Sequence, residues 1–149
     1  MNELTFRKAT VQDMDWLYAL FRSTMKHHIE QTWGWDELFQ KHGFAENLPA
    51  SSFTIALLDK EAIGAYSLME KTDHLWLDML LLPEQFQGRG LGSRLLETIQ
   101  KKALARKKPL RLSVLKINSA HEFYLKRGFV CCGEDDWSLK LEWRLPPLT

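Results

Sequence analysis

Cysteine is scarce in this sequence: its two cysteines, Cys131 and Cys132, are neighbours in a chain of 149 residues. A disulfide framework or a cysteine zinc site needs more cysteines at other spacings, so neither is predicted. We interpret the pair as strand residues that pack in a reducing cytosol. His27 and His28 have no third ligand at metal spacing, so no metal site is predicted either.

Long apolar runs and leader-like segments are also missing. No run approaches the roughly 20 residues that cross a bilayer, so no membrane contact is expected. Met1-Asn2-Glu3 leads directly into an alternating strand pattern, which predicts a cytoplasmic protein without a secretory signal. The net charge of +1 argues against the broad basic surface of a nucleic-acid-binding protein.

The composition and length of the chain are typical of one globular domain over residues 1–149. Apolar residues make up 45% and charged residues 26% of the chain, and there is no repeat or low-complexity linker. A chain of this length buries enough apolar surface to fold without disulfides or a structural metal.

Hydrophobic periodicity predicts the element order β-α-α-β-β-β-α-β-α-β-β. Gly43 and Pro49 are expected in a loop. The fold class is therefore α+β, with a mixed, mostly antiparallel sheet and helices on both faces. The predicted strands are 4–7, 53–58, 62–70, 75–82, 110–115, 130–133 and 138–145, and the predicted helices are 13–28, 36–41, 90–107 and 120–127.

A glycine-rich turn, Gln87-Gly88-Arg89-Gly90-Leu91-Gly92, follows the long apolar strand and opens the next helix. Glycines let a ligand approach the backbone, and the free N–H groups of a helix start favour an anion such as a pyrophosphate. The turn lacks the Lys-Ser/Thr of a Walker A loop and the spacing of a Rossmann fingerprint. A tight turn without a ligand is an equally good interpretation of this motif alone.

A second motif, from Asn118 to Phe129, follows the next strand with the sequence NSAHEFYLKRGF. Together the two motifs resemble the GCN5-related N-acetyltransferase (GNAT) family, and the predicted element order matches that family over nearly the whole chain. The resemblance implies a GNAT-like acyl-coenzyme A transferase fold and acetyl-coenzyme A as cosubstrate, with no metal.

The resemblance also implies roles for individual residues in coenzyme A binding. The pyrophosphate is expected at Gln87, Gly88, Arg89, Gly90, Leu91 and Gly92. The pantetheine arm is expected to pair with the backbone of Leu80, Leu81 and Leu82. Asn118 matches a residue that often contacts the cofactor, although it is equally well placed to cap the short helix that follows.

Tyr124 matches the family's tyrosine near the thioester sulfur, where a phenol can protonate the leaving thiolate. The alternative is a core aromatic beside Phe123. Deprotonation of the amine needs a base or an ordered water. Asp78, an acid in an apolar strand, is the first candidate and Glu70 the second, although an outward-facing or arginine-paired acid explains Asp78 equally well.

The resemblance places the acceptor near Trp33, Trp35 and Asp36, because this helical region usually walls the acceptor site in the fold. Indole faces and carboxylates attract cations, although packing against the sheet also explains either tryptophan. The implied function is acetyl transfer to a primary amine, on a small molecule or a peptide. A non-catalytic acyl-coenzyme A-binding module and a nucleotide-binding protein are the alternatives. The resemblance also allows a homodimer.

Overall fold

The computed structural model describes residues 3–147 and has seven strands and four α-helices within that range. The strands are β1 (Leu4–Lys8), β2 (Phe53–Leu58), β3 (Glu61–Glu70), β4 (Leu75–Leu81), β5 (Leu110–Leu115), β6 (Val130–Glu134) and β7 (Ser138–Trp143). The helices are α1 (Met14–Trp33), α2 (Glu37–Asn47), α3 (Leu91–Arg106) and α4 (Ala120–Leu125).

The strands form one sheet in the order β1-β2-β3-β4-β5-β7-β6. The pair β4–β5 is parallel, whereas β1–β2, β2–β3, β5–β7 and β6–β7 are antiparallel. The predicted mixed, mostly antiparallel α+β sheet is therefore confirmed. Asp59 and Lys60 both have positive φ, as a two-residue hairpin turn between β2 and β3 requires.

The two N-terminal helices are longer than predicted. Helix α1 continues past His28 because no breaking residue occurs before Gly34, which ends the helix with φ +86°. Helix α2 runs through Gly43, so the prediction of a loop there is wrong. A single glycine inside a helix costs only about 1 kcal/mol relative to alanine, which neighbouring contacts readily offset.

The cysteine pair also differs from its prediction. Cys131 and Cys132 lie in β6 as expected, but both are exposed and free rather than packed. The cysteines are exposed because β6 is the last strand of the sheet order, and an edge strand has a neighbouring strand on one side only.

The described chain divides into two compact units. The first contains residues 3–68 and 79–93, and its buried side chains include Leu17, Phe53, Ile55 and Tyr66. The second contains residues 69–78 and 94–147, with Leu95, Leu96, Ile99, Leu110 and Leu141 buried. The prediction of one domain over 1–149 stays a prediction, and its first and last two residues lie outside the described range.

Candidate active site

The glycine turn belongs to the first unit and joins β4 to α3. Gly88 and Gly90 have φ of +75° and +78°, a region that L-residues with side chains rarely adopt. A Cβ built on either glycine would meet no atom within 4 Å. Backbone conformation, rather than crowding inside the protein, therefore requires glycine at these two positions, and the space beside them is open.

The electrostatics of this turn favour an anion. Helix α3 begins at Leu91, so its first N–H groups have no partners within the helix, and its first turn contains no acidic residue. Arg89 is exposed, lies 5.7 Å from the ring centre of Phe86, and forms no ion pair with a residue in the range 3–147. The turn therefore presents an uncompensated cation beside the positive end of a helix.

The end of β4 is tied to the same turn. Leu80 and Leu81 lie in or at the end of the strand, whereas Leu82 falls just beyond it. The side-chain amide of Gln87 donates a hydrogen bond of 2.8 Å to the carbonyl oxygen of Leu82. This bond occupies the Leu82 carbonyl and holds the start of the glycine turn against the strand from which it emerges.

A close backbone contact holds β4 beside β3 at this point. A Cβ at Gly64 of β3 would come within 2.6 Å of the carbonyl oxygen of Leu81, a distance that real Cβ atoms essentially never show. Gly64 is therefore required by the approach of the two strands. Sequence reasoning missed this residue, because nothing in the local pattern around Gly64 distinguishes it from an ordinary strand glycine.

In the second unit, the parallel ladder of β4 with β5 is short. It consists of the pairs Leu75–Leu110 and Trp76–Arg111, and it does not continue to Leu77 or Asp78 in the described structure. The backbone of β4 therefore loses its β5 partner from Leu77 onward. Free backbone groups are what the resemblance to acetyltransferases requires farther along this strand.

Tyr124 lies in α4 and is buried, with 7% of its surface exposed. Its ring packs edge-on against Phe123 and Phe129, with ring centres 5.3 Å away in each case. Burial raises the pKa of its hydroxyl, so the phenol keeps its proton at neutral pH. No hydrogen bond joins this hydroxyl to another residue of the described range, so it is available to a ligand.

Asn118 precedes α4 and is already used in its local structure. Its side-chain oxygen accepts a 2.9 Å hydrogen bond from the backbone N–H of Ala120. The N-cap of α4 is Ser119 rather than the predicted Asn118, and the Asn118 side chain instead closes the turn just before the helix. The side-chain amide nitrogen remains as a donor, and its proposed contact with the cofactor stays a proposal.

Asp78 is half-buried on β4, and the indole N–H of Trp76 donates a 3.2 Å hydrogen bond to its Oδ1. The two residues are two positions apart in a strand and so lie on the same face. No ion pair joins Asp78 to a residue in 3–147, so the predicted arginine-paired alternative is wrong. Trp76 was not singled out from the sequence, although its spacing of two residues from Asp78 indicates that the two side chains lie on the same face of a strand.

Glu70, the second candidate base, is engaged elsewhere. Its carboxylate accepts a 2.8 Å hydrogen bond from Lys108 Nζ and lies 3.7 Å from a nitrogen of Arg106. These cations lower the pKa of Glu70, with the hydrogen bond from Lys108 as the main cause. A carboxylate held in its anionic form by two cations is a weak proton acceptor, so the contacts favour Asp78.

The segment predicted to contact the acceptor connects α1 to α2 in the first unit. Trp33 is the last residue of α1 and is exposed, whereas the ring of Trp35 lies 6.1 Å from that of Phe21. Asp36 caps α2, since its Oδ1 accepts a 2.9 Å hydrogen bond from the N–H of Phe39. Packing against Phe21 therefore explains part of the burial of Trp35.

A polar network beside this segment joins the two helices. Glu37 accepts hydrogen bonds from the hydroxyl of Tyr18 and, at 2.7 Å, from Nε of Arg22. These bonds lower the pKa of Glu37 to about 2, and burial together with Glu37 raises the pKa of Tyr18 to about 12. The indole N–H of Trp35 is buried close to Glu37 but makes no hydrogen bond.

The candidate site residues fall into two groups, one in each compact unit. The first unit contains the glycine turn, the end of β4 and the segment from Trp33 to Asp36. The second unit contains Glu70, Asp78, Asn118 and Tyr124. The first unit thus contains a turn whose electrostatics favour an anion, and the second contains a phenol without a hydrogen bond and a carboxylate without an ion pair among the described residues.

Residues 23–138 match the family model described as an acetyltransferase (GNAT) domain. The match covers more than half of the chain, and the chain belongs to the GNAT family of acetyltransferases. The predicted resemblance is thus confirmed. No curated protein sequence matches the chain.

Solved structures share this fold. The PaiA N-acetyltransferase from Thermoplasma acidophilum, in complex with coenzyme A, superposes with a TM-score of 0.78 at 21% identity, covering 96% of this chain and 99% of that one. A GCN5-related N-acetyltransferase from Rhodopseudomonas palustris gives a TM-score of 0.71 at 22% identity and 95% coverage of both chains. N-acetylglutamate synthase from Neisseria gonorrhoeae, with coenzyme A and N-acetyl-glutamate, gives 0.68 at 22% identity, covering 97% of this chain and 36% of that one.

Residues 3–147 contain neither a candidate membrane span nor a candidate metal cluster. None of the described helices is long and apolar enough to span a membrane. Likewise, no group of three or more histidine, cysteine or acidic side chains in this range is arranged to hold a metal ion.

Proposed function

We propose that this protein transfers the acetyl group of acetyl-coenzyme A to a primary amine. The observation that carries the proposal is the glycine turn between β4 and α3, in a chain that belongs to the GNAT acetyltransferases. The complexes of PaiA and of N-acetylglutamate synthase with coenzyme A support the same cosubstrate.

In this proposal the pyrophosphate of coenzyme A binds at residues 87–92. The open space beside Gly88 and Gly90 admits phosphate oxygens to the backbone N–H groups. Arg89 adds a positive charge that no residue of the described range neutralises. The pantetheine arm pairs with backbone groups of Leu80 and Leu81, since the carbonyl of Leu82 already accepts a bond from Gln87.

The chemical step is an attack of the neutral amine on the thioester carbonyl. A nitrogen–carbon bond forms, the carbon–sulfur bond then breaks, and the sulfur leaves with its electron pair. Tyr124 donates its phenolic proton, or a strong hydrogen bond, to that sulfur as negative charge develops. Burial raises the pKa of this hydroxyl, so the phenol carries its proton at neutral pH and can donate it, or a hydrogen bond, to the sulfur.

The amine must also lose a proton. Asp78 is the proposed acceptor, directly or through water, because it is half-buried and has no cationic partner in the described chain. Trp76 occupies one carboxylate oxygen and leaves the other to accept the proton. The proton taken up by Asp78 balances the one that Tyr124 donates, and solvent restores both residues to their starting states.

Tyr124→Phe tests the mechanism, because phenylalanine keeps both ring contacts and removes only the hydroxyl. Free coenzyme A released from acetyl-coenzyme A in the presence of an amine panel is the readout. We expect kcat to fall at least about tenfold, since positioned acids contribute roughly 10²–10⁴-fold. Affinity for acetyl-coenzyme A and the melting temperature should stay close to the wild type, because the hydroxyl makes no internal hydrogen bond.

Tyr18→Phe is the matched control for stability. It removes a hydroxyl that donates to Glu37, so its melting temperature should fall while that of Tyr124→Phe does not. Retained kcat with lost stability in Tyr124→Phe would contradict the acid role. Wild-type protein that binds acetyl-coenzyme A but releases no thiol with any amine would instead favour the non-catalytic binding module.

A further inference from the structure

We propose that residues 33–39 form a binding site for a primary ammonium group attached to an apolar, aromatic body. The inference rests on the proposed function and deepens it, because it names the chemical class of the acceptor. The site lies wholly within the first unit.

Large apolar side chains are concentrated in this segment. Trp33 is 58% exposed, Leu38 71% and Phe39 72%, although Phe44 on the same helix is buried. Full burial of a large apolar side chain stabilises a fold by roughly 1.5–3 kcal/mol, and these exposed side chains do not gain that stabilisation. Apolar side chains that cluster at the surface in this way mark binding surfaces more often than single exposed residues do.

One uncompensated charge lies among these apolar side chains. Asp36 uses its Oδ1 to cap α2 and forms no ion pair with a residue of the described chain. Its neighbour Glu37 is neutralised by Arg22, so the segment presents a single available carboxylate. A carboxylate with one oxygen free, and with exposed apolar residues within three positions of it in the sequence, complements an ammonium group on an apolar body.

The segment already attracts an ammonium group of the protein itself. Nζ of Lys26 lies 5.9 Å from the ring centre of Trp35, within the range of a cation–π contact. An acidic acceptor is disfavoured, because Arg22, the guanidinium next to this segment, is committed to Glu37. A polyamine is disfavoured as well, because several ammonium groups would need more than the one carboxylate of Asp36.

Calorimetry with three probes, in the presence of saturating coenzyme A, tests the site. 2-Phenylethylamine carries both features, 2-phenylethanol lacks the charge, and butane-1,4-diamine lacks the aromatic body. We expect 2-phenylethylamine to bind more tightly than either of the others. Asp36→Asn should weaken its binding about two- to fivefold, the range of an exposed ion pair, and leave 2-phenylethanol unchanged. Asparagine caps a helix as well as aspartate does, so the fold is preserved.

Matched controls separate these contacts from general effects. Glu46→Gln removes the same charge from an exposed position of α2 and should change no affinity. Phe39→Ser should weaken both aromatic probes about tenfold through lost apolar contact, whereas Val11→Ser, at another exposed apolar position, should weaken neither.

Specific results would overturn the proposal. They are tighter binding of the diamine than of 2-phenylethylamine, equal effects of Asp36→Asn and Glu46→Gln, or a dimer in sedimentation that Phe39→Ser dissociates. Acetyl transfer measured in parallel separates this inference from the proposed function. Binding of 2-phenylethylamine without transfer to any amine refutes the function and keeps the site, and transfer to the diamine alone refutes the site and keeps the function.

Discussion

Replacing Gly90 with alanine tests the cofactor assignment most directly. Gly90 has φ +78°, and a Cβ there meets no atom within 4 Å, so strain is the only cost inside the protein. A left-handed alanine costs about 1–2 kcal/mol. Since 1 kcal/mol corresponds to roughly 2–4 °C for a domain of this size, the variant should still be folded at room temperature.

The same methyl group should have a much larger effect on coenzyme A. It projects into the open space beside the turn, where phosphate oxygens are proposed to approach the backbone. A hydrogen bond to a charged group contributes about 1.5–3 kcal/mol, and each 1.4 kcal/mol is tenfold in affinity. Loss of one such bond should raise the Kd of coenzyme A about 10- to 100-fold, measured by calorimetry.

Gly34→Ala is the matched control for this prediction. Gly34 has φ +86° and equally open surroundings, so alanine is strained there too without meeting another atom. It should lower the melting temperature by at least as much as Gly90→Ala and leave the Kd of coenzyme A unchanged. Pantetheine, which lacks the pyrophosphate, should bind both variants equally. Equal coenzyme A affinity of the two variants would refute the pyrophosphate site.

The remaining predictions concern carboxylates. Asp78→Asn should lower kcat at neutral pH, whereas Glu70→Gln, at a side chain already paired with Lys108, should leave the acid limb of the pH–rate profile in place. Trp76→Phe should also lower kcat, because the carboxylate of Asp78 loses the indole donor that orients it; an unchanged kcat in Trp76→Phe would contradict the proposed positioning. Because the folded-state pKa of Glu37 lies at about 2, below its ordinary value of 4.5, its stabilising effect is present above pH 4.5 and is lost as the pH falls toward 2. Thermal melts from pH 5 to 3 should therefore fall less steeply in Glu37→Gln, and parallel curves would argue against the network.

Strong local patterns were enough to predict much of the fold. The bounds of β2 and β5 are those predicted, because short strand-like segments rich in apolar residues lie between turn residues or proline in both places. The predicted ends of α1 and α2 were wrong, because helix length depends on tertiary contacts, which outweigh one unfavourable residue such as Gly43. The exposure of Cys131 followed from strand order, which no local pattern contains.

Some features of the candidate site could likewise be predicted from the sequence and others could not. The glycine turn was found from the sequence, because the conformations of Gly88 and Gly90 require a particular residue type. The hydrogen bond of Gln87 to Leu82 was not found, since many side chains at that position could fold back onto the strand. The engagement of Glu70 was also missed, because Lys108 is 38 residues away in the sequence.

The contact between Gly64 and the carbonyl oxygen of Leu81 limits how this enzyme can be redesigned. An engineer who wants more room at the proposed thioester site would vary the residues of β3 beside the proposed pantetheine strand. At position 64 even the smallest addition, one methyl group, would push the Leu81 carbonyl aside and shift the strand end to which Gln87 anchors the glycine turn. Saturation mutagenesis of β3 should therefore recover only glycine at this position among active clones, while its neighbours accept wider choices.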